Sequence, residues 1–504
     1  MSISEADLSI EDLCFTYPAY PGIKARILFE GLNLRIQAGR IAVLLAQPDQ
    51  GKTTLCRILS GLIPRFSGGT LTGRMSLADA ALTAHQPYEL LERVGLIFQQ
   101  PGEQLLTSRC DAEIAFALES LGVPRNEIEK RIRNVLQTMH LERYRSESPQ
   151  MLSGGEKKKL LIACLLAIDP QLWLLDETLE ELDAATKKQL LELLKQGRRT
   201  TLILSAKWHE LFAVYADRIL LLEDGTVQSI SDGKVSREFR DLLCDRGFLL
   251  REPADGEKRC RHEAGEKRNT SEAIHERKAG AAEKSATLLL AENLRFRYRR
   301  EGSNGEECFS LQIDSFHIEA GQTTALIGHN GSGKSTIGHI LCGLIEPEQG
   351  IVRIRKHDRL QPASTEELNR FTGYLFQDPD LQIFLPTVFE ELALGLRHLN
   401  LPAPEINRRV QEAVALFGLP AGDAPPSLMS YGTRKQLQAG VYYLLERPLM
   451  IIDEGDSGLS TDDFSQMVRI FRDRERALIF ITHDHRLAGA LADEVLELKA
   501  GRFA

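Results

Sequence analysis

The chain lacks clustered cysteines and lacks an excess of positive charge. Its eight cysteines lie at positions 14, 56, 110, 164, 244, 260, 308 and 342, and they form neither a CxxC pair nor a Cys/His cluster with zinc spacing. This scatter indicates a reducing compartment and no structural metal. The formal net charge is −9, whereas proteins that wrap nucleic acid usually carry a basic excess, so we expect no nucleic-acid partner.

Long apolar runs are also missing. The longest, such as residues 160–168, are far shorter than the roughly 20 residues that span a bilayer. Residues 1–13 are acidic and lack the basic and then apolar layout of a signal peptide. A role at a membrane would therefore be that of a peripheral protein. With 504 residues, of which 43% are hydrophobic, the chain can form two domains with separate cores.

What the chain does contain is an internal repeat. LLAQPDQGKTT at 44–54 returns as LIGHNGSGKST at 326–336, and LWLLDE at 172–177 returns as LMIIDE at 449–454. Lys52 and Lys334 are 282 positions apart, and Asp176 and Asp453 are 277 apart. A nearly constant offset is typical of a duplicated domain.

The repeat predicts two domains, at 1–250 and 286–504. Residues 251–285 are dense in charge and poor in large apolar side chains, so we interpret them as a flexible linker, with a solvated helix as the alternative. Each half alternates apolar, β-rich runs with amphipathic helices, which predicts a mostly parallel α/β sheet. IAVLLA and TALIG are expected to be buried strands that lead into glycine-rich loops.

The second copy contains a complete phosphate loop between a strand and a helix. Its residues are Gly328, His329, Asn330, Gly331, Ser332, Gly333, Lys334 and Ser335, followed by Thr336. The glycines let backbone N–H groups point at phosphates, and the helix N-terminus favours negative charge. Lys334 is predicted to neutralise the β- and γ-phosphates, and the Ser335 hydroxyl to coordinate Mg²⁺.

A carboxylate pair ends the strand LMIID. Asp453 can hold the Mg²⁺ shell, and Glu454 is placed to polarise an attacking water. Such a pair could instead cap a helix. Its recurrence as Asp176 and Glu177 in the first copy favours the functional interpretation.

The decisive motif is LSGGE, in which Leu152 is followed by Ser153, Gly154, Gly155 and Glu156. It resembles the signature loop of the ATP-binding cassette family. The phosphate loops and the LLDE strand are further features of that family. The resemblance covers both halves. It implies an α/β fold of two P-loop NTPase (RecA-like) nucleotide-binding domains, each with an antiparallel β subdomain and a helical signature subdomain.

The same resemblance implies further roles for individual side chains. Tyr17 and Tyr298 match the aromatic residue that stacks on adenine, although they could equally be strand-core aromatics. Gln99 and Gln377 match the glutamine that senses Mg²⁺ and the γ-phosphate. His483 matches the histidine that contacts the γ-phosphate.

Cassettes of this family work as head-to-tail dimers, so an intramolecular dimer with two composite sites is expected. In the intact site, the second phosphate loop combines with Asp453, Glu454, Gln377 and His483. The opposite half adds Ser153, Gly154, Gly155, Glu156 and Asp183. All of these residues match the family pattern.

The other composite site departs from the pattern, and we call it the degenerate site. Its phosphate loop keeps Gly51, Lys52, Thr53 and Thr54, with Asp176, Glu177 and Gln99 nearby, and Thr53, Asp176 and Gln99 are its predicted Mg²⁺ ligands. Ala46 and Asp49 replace glycines, however, and Pro48 removes a backbone donor. The opposing signature loop has Tyr431 in place of Gly154, and Ser460 in place of Asp183.

The degenerate site also lacks a histidine. Counting back ten residues from Asp217 and Asp493 puts Lys207 at the place of His483, with His209 two residues later. Neutral drift is the alternative explanation for these changes.

The segments that follow Gln99 and Gln377 resemble those of energy-coupling factor importers and of cobalt and nickel importers. The resemblance implies a peripheral ATPase at the cytoplasmic face of the cell membrane, beneath a transmembrane coupling subunit and a small substrate-binding membrane protein. We expect Leu105, Leu106, Phe384, Leu385 and Phe389 to line grooves for the coupling subunit. The alternative is that they belong to the core of their helical subdomain.

Two other kinds of protein compete with this interpretation. A fused pair of sugar-importer cassettes is expected to be degenerate mainly in its C-terminal copy, whereas here the better phosphate loop is C-terminal. A soluble tandem-cassette ATPase acting on ribosomes or nucleic acid would favour a basic helical linker or an iron–sulfur cysteine array. The chain has neither feature.

Overall fold

The computed structural model describes residues 7–19, 25–78, 80–180, 182–232, 235–249, 287–299, 307–329, 331–357, 359–472 and 476–504. The predicted linker at 251–285 lies outside the described residues, as does Asn330 of the second phosphate loop.

The described first half, residues 7–249, contains two sheets. An antiparallel sheet has the order β2-β1-β4-β5, and a larger sheet has the order β10-β9-β3-β8-β7-β6, in which only β10 is antiparallel to its neighbour. The strands are β1 (Leu8–Tyr17), β2 (Arg26–Ile36), β3 (Ile41–Leu45), β4 (Thr70–Leu77), β5 (Ala80–Ala81), β6 (Val94–Ile97), β7 (Leu172–Asp176), β8 (Thr200–Ser205), β9 (Arg218–Glu223) and β10 (Thr226–Ser231). The helices are α1 (Lys52–Leu59), α2 (Cys110–Ser120), α3 (Arg125–Thr138), α4 (Gly154–Ile168), α5 (Ala184–Gln196), α6 (Phe212–Tyr215) and α7 (Arg237–Asp245).

The second half repeats this architecture. Its antiparallel sheet has the order β12-β11-β14-β15, and its larger sheet has the order β16-β17-β18-β13-β19-β20. The strands are β11 (Thr287–Arg299), β12 (Glu307–Glu319), β13 (Thr323–Ile327), β14 (Gln349–Lys356), β15 (Arg359–Pro362), β16 (Thr372–Leu375), β17 (Leu449–Asp453), β18 (Ala477–Ile481), β19 (Glu494–Lys499) and β20 (Arg502–Phe503). The helices are α8 (Lys334–Leu341), α9 (Thr365–Phe371), α10 (Val388–His398), α11 (Ala403–Leu416), α12 (Tyr431–Leu445), α13 (Thr461–Arg472) and α14 (His485–Leu491).

The larger sheets are covered on both faces, which explains the apolar runs of their central strands. Along β3, Ile41, Val43 and Leu45 join one hydrophobic cluster, while Ala42 and Leu44 join the cluster on the opposite face. In each half, three helices pack against one another: α2, α3 and α4 in the first, and α10, α11 and α12 in the second. The expected antiparallel and helical subdomains are therefore present in both halves.

Candidate functional site

The second phosphate loop connects the buried strand β13 to α8. Gly328, Gly331 and Gly333 have φ values of 150°, 75° and 104°, which only glycine adopts without strain. A Cβ atom on Gly328 would lie 2.3 Å from the carbonyl oxygen of Leu498. Lys334 donates hydrogen bonds to the carbonyl oxygens of Gly328 (2.9 Å) and His329 (3.1 Å). The loop is thus wrapped around the lysine ammonium group.

Asp453 lies at the end of β17, beside this loop. The hydroxyl of Tyr374 donates to Asp453 Oδ2 at 2.6 Å, and Oδ1 is buried. Burial and the neighbouring Glu454 raise the pKa of Asp453 to about 6. A carboxylate oxygen beside the Ser335 hydroxyl is the kind of donor set that Mg²⁺ prefers, so these residues fit that ion.

Glu454 is held by two side chains. His483 Nε2 lies 3.0 Å from Glu454 Oε1, and Gln377 Nε2 donates to Oε2 at 2.8 Å. Burial alone would raise the pKa of Glu454, but His483 and Lys334 outweigh it, so the pKa is lowered. The carboxylate is therefore ionised at neutral pH, as a group that polarises water must be.

The first phosphate loop has different contacts. Lys52 again donates to its own loop, at Ala46 (2.8 Å) and Gln47 (3.2 Å), but it also forms a buried ion pair with Glu177 at 3.2 Å. Gln99 Nε2 donates to Glu177 Oε2 at 2.8 Å. In this half Lys52, which is predicted to bind phosphate, is paired with Glu177, which is predicted to polarise water.

Asp49 occupies the left-handed position that Gly331 has in the other loop, with φ of 63°. Its carbonyl oxygen accepts from Arg26 at 2.7 Å, and its carboxylate accepts from the Thr433 hydroxyl at 3.3 Å. Thr433 belongs to the second signature loop. The contact therefore joins the two halves head to tail, and a cavity of about 560 Å³ lies there between the phosphate loop and Gly432, Thr433 and Ser460. The matching approach of Ser153 to the second phosphate loop stays a prediction.

Both signature serines cap helices, in different ways. Ser153 and Glu156 form a reciprocal capping box at the start of α4. Ser430 caps α12 by accepting from the Thr433 N–H at 3.2 Å. The hydroxyl of Tyr431 turns back within its own half and donates to the carbonyl oxygen of Gln377 at 2.6 Å.

The strand register corrects the assignment of Lys207. Leu44 pairs with Leu204, and the equivalent Leu326 pairs with Ile481, so Ala206 occupies the position of His483. The connection from Leu204 to Asp217 is one residue longer than that from Ile481 to Asp493, which is why counting back from the aspartates is off by one.

His209 is half-buried in the segment that follows β8. Its ring packs against Phe212 with centroids 5.2 Å apart. Burial, followed by the charges of Lys187 and Lys207, lowers the pKa of His209 well below its ordinary value. The His209 imidazole is therefore neutral at neutral pH.

The two tyrosines predicted to stack on adenine differ in exposure. The Tyr17 hydroxyl lies 2.9 Å from Thr54 Oγ1, which places its half-buried ring against α1 of the first phosphate loop. The Tyr298 side chain is 42% exposed, and its ring meets Phe296 edge-on. Their role in adenine binding stays a prediction.

The predicted groove residues separate into exposed and buried ones. Leu106 and Phe384 are 74% and 71% exposed, whereas Leu385 and Phe389 are half-buried. Leu105 is 6% exposed and belongs to the core of the first half, so its assignment to a groove was wrong. Successive residues of one loop point in opposite directions, and the sequence does not show which of the two faces inward.

Two buried carboxylates hold these loops, and sequence reasoning missed both. Glu391 accepts from the N–H groups of Phe384 (3.1 Å) and Leu385 (2.8 Å). Glu113 does the same for Leu106 (3.1 Å) and Thr107 (2.7 Å). Their spacing of 278 residues, equal to that of Gln99 and Gln377, is the signal that could have found them.

Comparison with known proteins agrees with this geometry. The chain belongs to the ABC transporter family, whose pattern matches residues 29–180 and 311–457. The prediction of two P-loop NTPase cassettes is confirmed, and the chain is an ATP-binding ATPase. No helix among the described residues is long and apolar enough to cross a membrane.

Several relatives resemble the chain over nearly its whole length. A Methanosarcina acetivorans protein named as an ABC transporter ATP-binding protein is 32% identical over 98% of this chain and 84% of its own. Bacillus subtilis YkoD, named for HMP/thiamine import, is 26% identical over 97% of this chain and 89% of its own. The solved structure of RNase-L inhibitor is 18% identical with a TM-score of 0.57, over 98% of this chain and 90% of that one, and this likeness concerns the fold alone.

Proposed function

We propose that the chain is the ATP-hydrolysing subunit of an importer of the energy-coupling factor type, which takes up a vitamin or a transition metal ion. The observation that carries this proposal is the match to YkoD over 97% of the chain, both cassettes included. The exposed apolar side chains that follow Gln99 and Gln377 support it, because the ATPase subunit of an importer needs a surface for its membrane partner.

Hydrolysis is assigned to the intact site. Lys334 and the N–H groups of its loop bind the phosphates, and Ser335, Asp453 and Gln377 would hold Mg²⁺, which neutralises the charge that develops on the phosphoryl group. Glu454 would position and polarise the attacking water, and His483 holds Glu454 and would contact the γ-phosphate. The signature residues Ser153–Glu156 of the first half close this site.

The degenerate site is assigned a role in nucleotide binding with little hydrolysis. Its candidate residues are Tyr17, Gly51, Lys52, Thr53, Thr54, Gln99, Asp176 and Glu177. The Lys52–Glu177 ion pair and the Asp49 carboxylate both oppose productive binding of phosphate. Each of these departures falls in the same composite site, as expected when one site is retained for hydrolysis and the other is not.

The membrane partner is proposed to dock on Leu106 in the first half and on Phe384 with Leu381 in the second. Leu381 is 70% exposed and lies three residues before Phe384. Exposed apolar side chains on loops held by Glu113 and Glu391 are suited to receive short helices from a transmembrane coupling subunit. We therefore propose that the chain lies peripherally at the cytoplasmic face of the membrane, with the substrate bound by another membrane protein.

Phe384→Ala tests this docking. We expect the purified variant to keep its melting temperature and ATP binding while pull-down of a co-expressed coupling subunit is lost. Val214→Ala is the matched control, since Val214 is 70% exposed on the first half outside these loops. A lowered melting temperature with normal pull-down would refute the docking surface. Co-sedimentation of the wild type with ribosomes, without a membrane subunit, would favour the ribosome-associated alternative.

A further inference from the structure

Lys207 forms an ion pair with the opposite half. Its ammonium group lies 2.9 Å from Asp456 Oδ2, and the two side chains are only 7% and 14% exposed. Asp456 lies two residues after Glu454, in the segment between β17 and α13. A buried cation of the first half is thus paired with the loop that follows Glu454, the glutamate of the intact site.

The duplicated positions in the two halves do not form an equivalent ion pair. Aligned by strand register, Lys207 corresponds to Asp484, and Asp456 corresponds to Leu179. Asp484 caps α14 by accepting from the N–H groups of Arg486 and Leu487, and Leu179 is a buried core residue. No ion pair can therefore form at the equivalent place beside Glu177.

The segment around Asp456 is tightly connected to Glu454. The N–H of Ser457 donates to the Glu454 carbonyl oxygen at 3.1 Å, and Lys435 donates to the same oxygen at 2.7 Å. Glu180 of the first half accepts from the N–H of Gly458 at 3.2 Å. A displacement of Asp456 would therefore be transmitted to Glu454, whose φ of 46° already requires support from its surroundings.

The electrostatics agree with a persistent pair. Burial alone would lower the pKa of Lys207, but Asp456 and Glu180 outweigh it and the pKa is raised. Burial alone would raise the pKa of Asp456, but Lys207 outweighs it and the pKa is lowered. Removing one partner leaves a buried, uncompensated charge, which lowers the free energy of unfolding.

We propose that Lys207 is a positioning residue for the intact site: through Asp456 it holds Glu454 across the cassette interface in the geometry for hydrolysis. The first half, which has lost its own histidine, contributes instead to catalysis in the second. This inference rests on the proposed assignment of hydrolysis to Glu454.

The test is ATP turnover by the purified full chain carrying Lys207→Met. We expect kcat to fall about tenfold, with KM for ATP changing less than about twofold, because the phosphate contacts are untouched. Asp456→Asn should cost as much, and the double variant no more than either single one, since both act through one pair. Lys207→Arg should restore most of kcat.

Glu210→Gln is the control for a general loosening of the interface. It removes the Glu210–Arg486 ion pair, at 2.8 Å, which also joins the two halves but is about half-exposed. We expect its kcat to match the wild type. Unchanged kcat for Lys207→Met, or an equal loss for Glu210→Gln, would overturn the inference. If Glu454→Gln itself retained turnover, the assignment of the intact site would fail first.

Discussion

At the scale of single residues, the two cassettes differ most clearly in how they hold their glutamates. Glu454 and Glu177 share a left-handed backbone conformation, with φ of 46° and 47°, and each accepts a hydrogen bond from its glutamine. The remaining oxygen of Glu454 faces His483, whereas that of Glu177 faces Lys52. Glu454 therefore pairs with a histidine, and Glu177 pairs with the lysine of its own phosphate loop.

Glu454→Gln is expected to lower steady-state ATP turnover by about a hundredfold or more while ATP binding survives, because it removes the group that polarises water. Glu177→Gln should leave most of the activity. Both variants would be assayed in the assembled transporter and in the purified chain. Equal losses from the two substitutions would contradict the asymmetry of the sites.

A pH dependence is expected from Glu180. Burial, followed by the charge of Glu177, raises its pKa from 4.5 to about 7. The folded protein then binds this proton more tightly than the unfolded chain, so the contribution of Glu180 to stability falls as pH rises from about 4.5 to about 7. Lys207 and Lys158 also face this carboxylate and oppose the shift.

Glu180→Gln imitates the protonated form and should remove that dependence. We expect a higher melting temperature than the wild type at pH 8 and no difference at pH 4.5, measured without nucleotide. A melting temperature difference that does not vary with pH would show that Glu180 titrates normally.

At the scale of elements, the helix that follows each signature loop begins with a serine cap in both halves. Each serine caps its helix, and a lost cap typically costs about 1 kcal/mol, but only Ser153 also takes part in a capping box. Their surroundings are not comparable. Ser153 is followed by two glycines, whereas Ser430 is followed by Tyr431, which is bonded to the backbone of Gln377.

Ser153→Arg should abolish most ATP turnover, and Ser430→Arg should leave much of it. Ser153 is predicted to close over the nucleotide held by Lys334, while Ser430 faces the degenerate site. The matched loss of a helix cap makes each variant a stability control for the other in thermal melting. Greater damage from Ser430→Arg would mean that the pairing of signature loops with phosphate loops is wrong.

At the scale of the whole molecule, the two halves form one head-to-tail unit with unequal sites. The contacts Asp49–Thr433, Lys207–Asp456 and Glu180–Gly458 all cross between the halves. The Asp49 contact places a carboxylate at the mouth of the degenerate site. The molecule is thus expected to bind nucleotide with two different affinities.

Asp49→Gly should raise the affinity of the degenerate site for ATP, because it removes a negative charge next to the phosphates and suits the left-handed φ of 63°. Calorimetry with a non-hydrolysable ATP analogue would resolve the two sites per chain. The affinity of the tighter site should be unchanged. No change at the weaker site would show that Asp49 does not exclude phosphate.

Much of the fold and of the site was determined by the sequence itself. A phosphate loop needs glycines, a lysine and a hydroxyl at fixed spacing, and Asp453 and Glu454 must follow a buried strand. These are local requirements, so the duplicated motifs predicted both the mostly parallel α/β sheet and the candidate residues of the intact site. The left-handed positions of Gly331 and Gly333 likewise follow from local backbone geometry.

Only the tertiary structure decided which side chains meet across distant segments. It buried Leu105 and exposed Leu106, placed Ala206 at the position of His483, and paired Lys207 with Asp456, 249 residues away. Strand register and the inward or outward direction of a side chain depend on packing against other elements, and a contact between the halves depends on how two folded units fit together. Neither is encoded in the spacing of a motif.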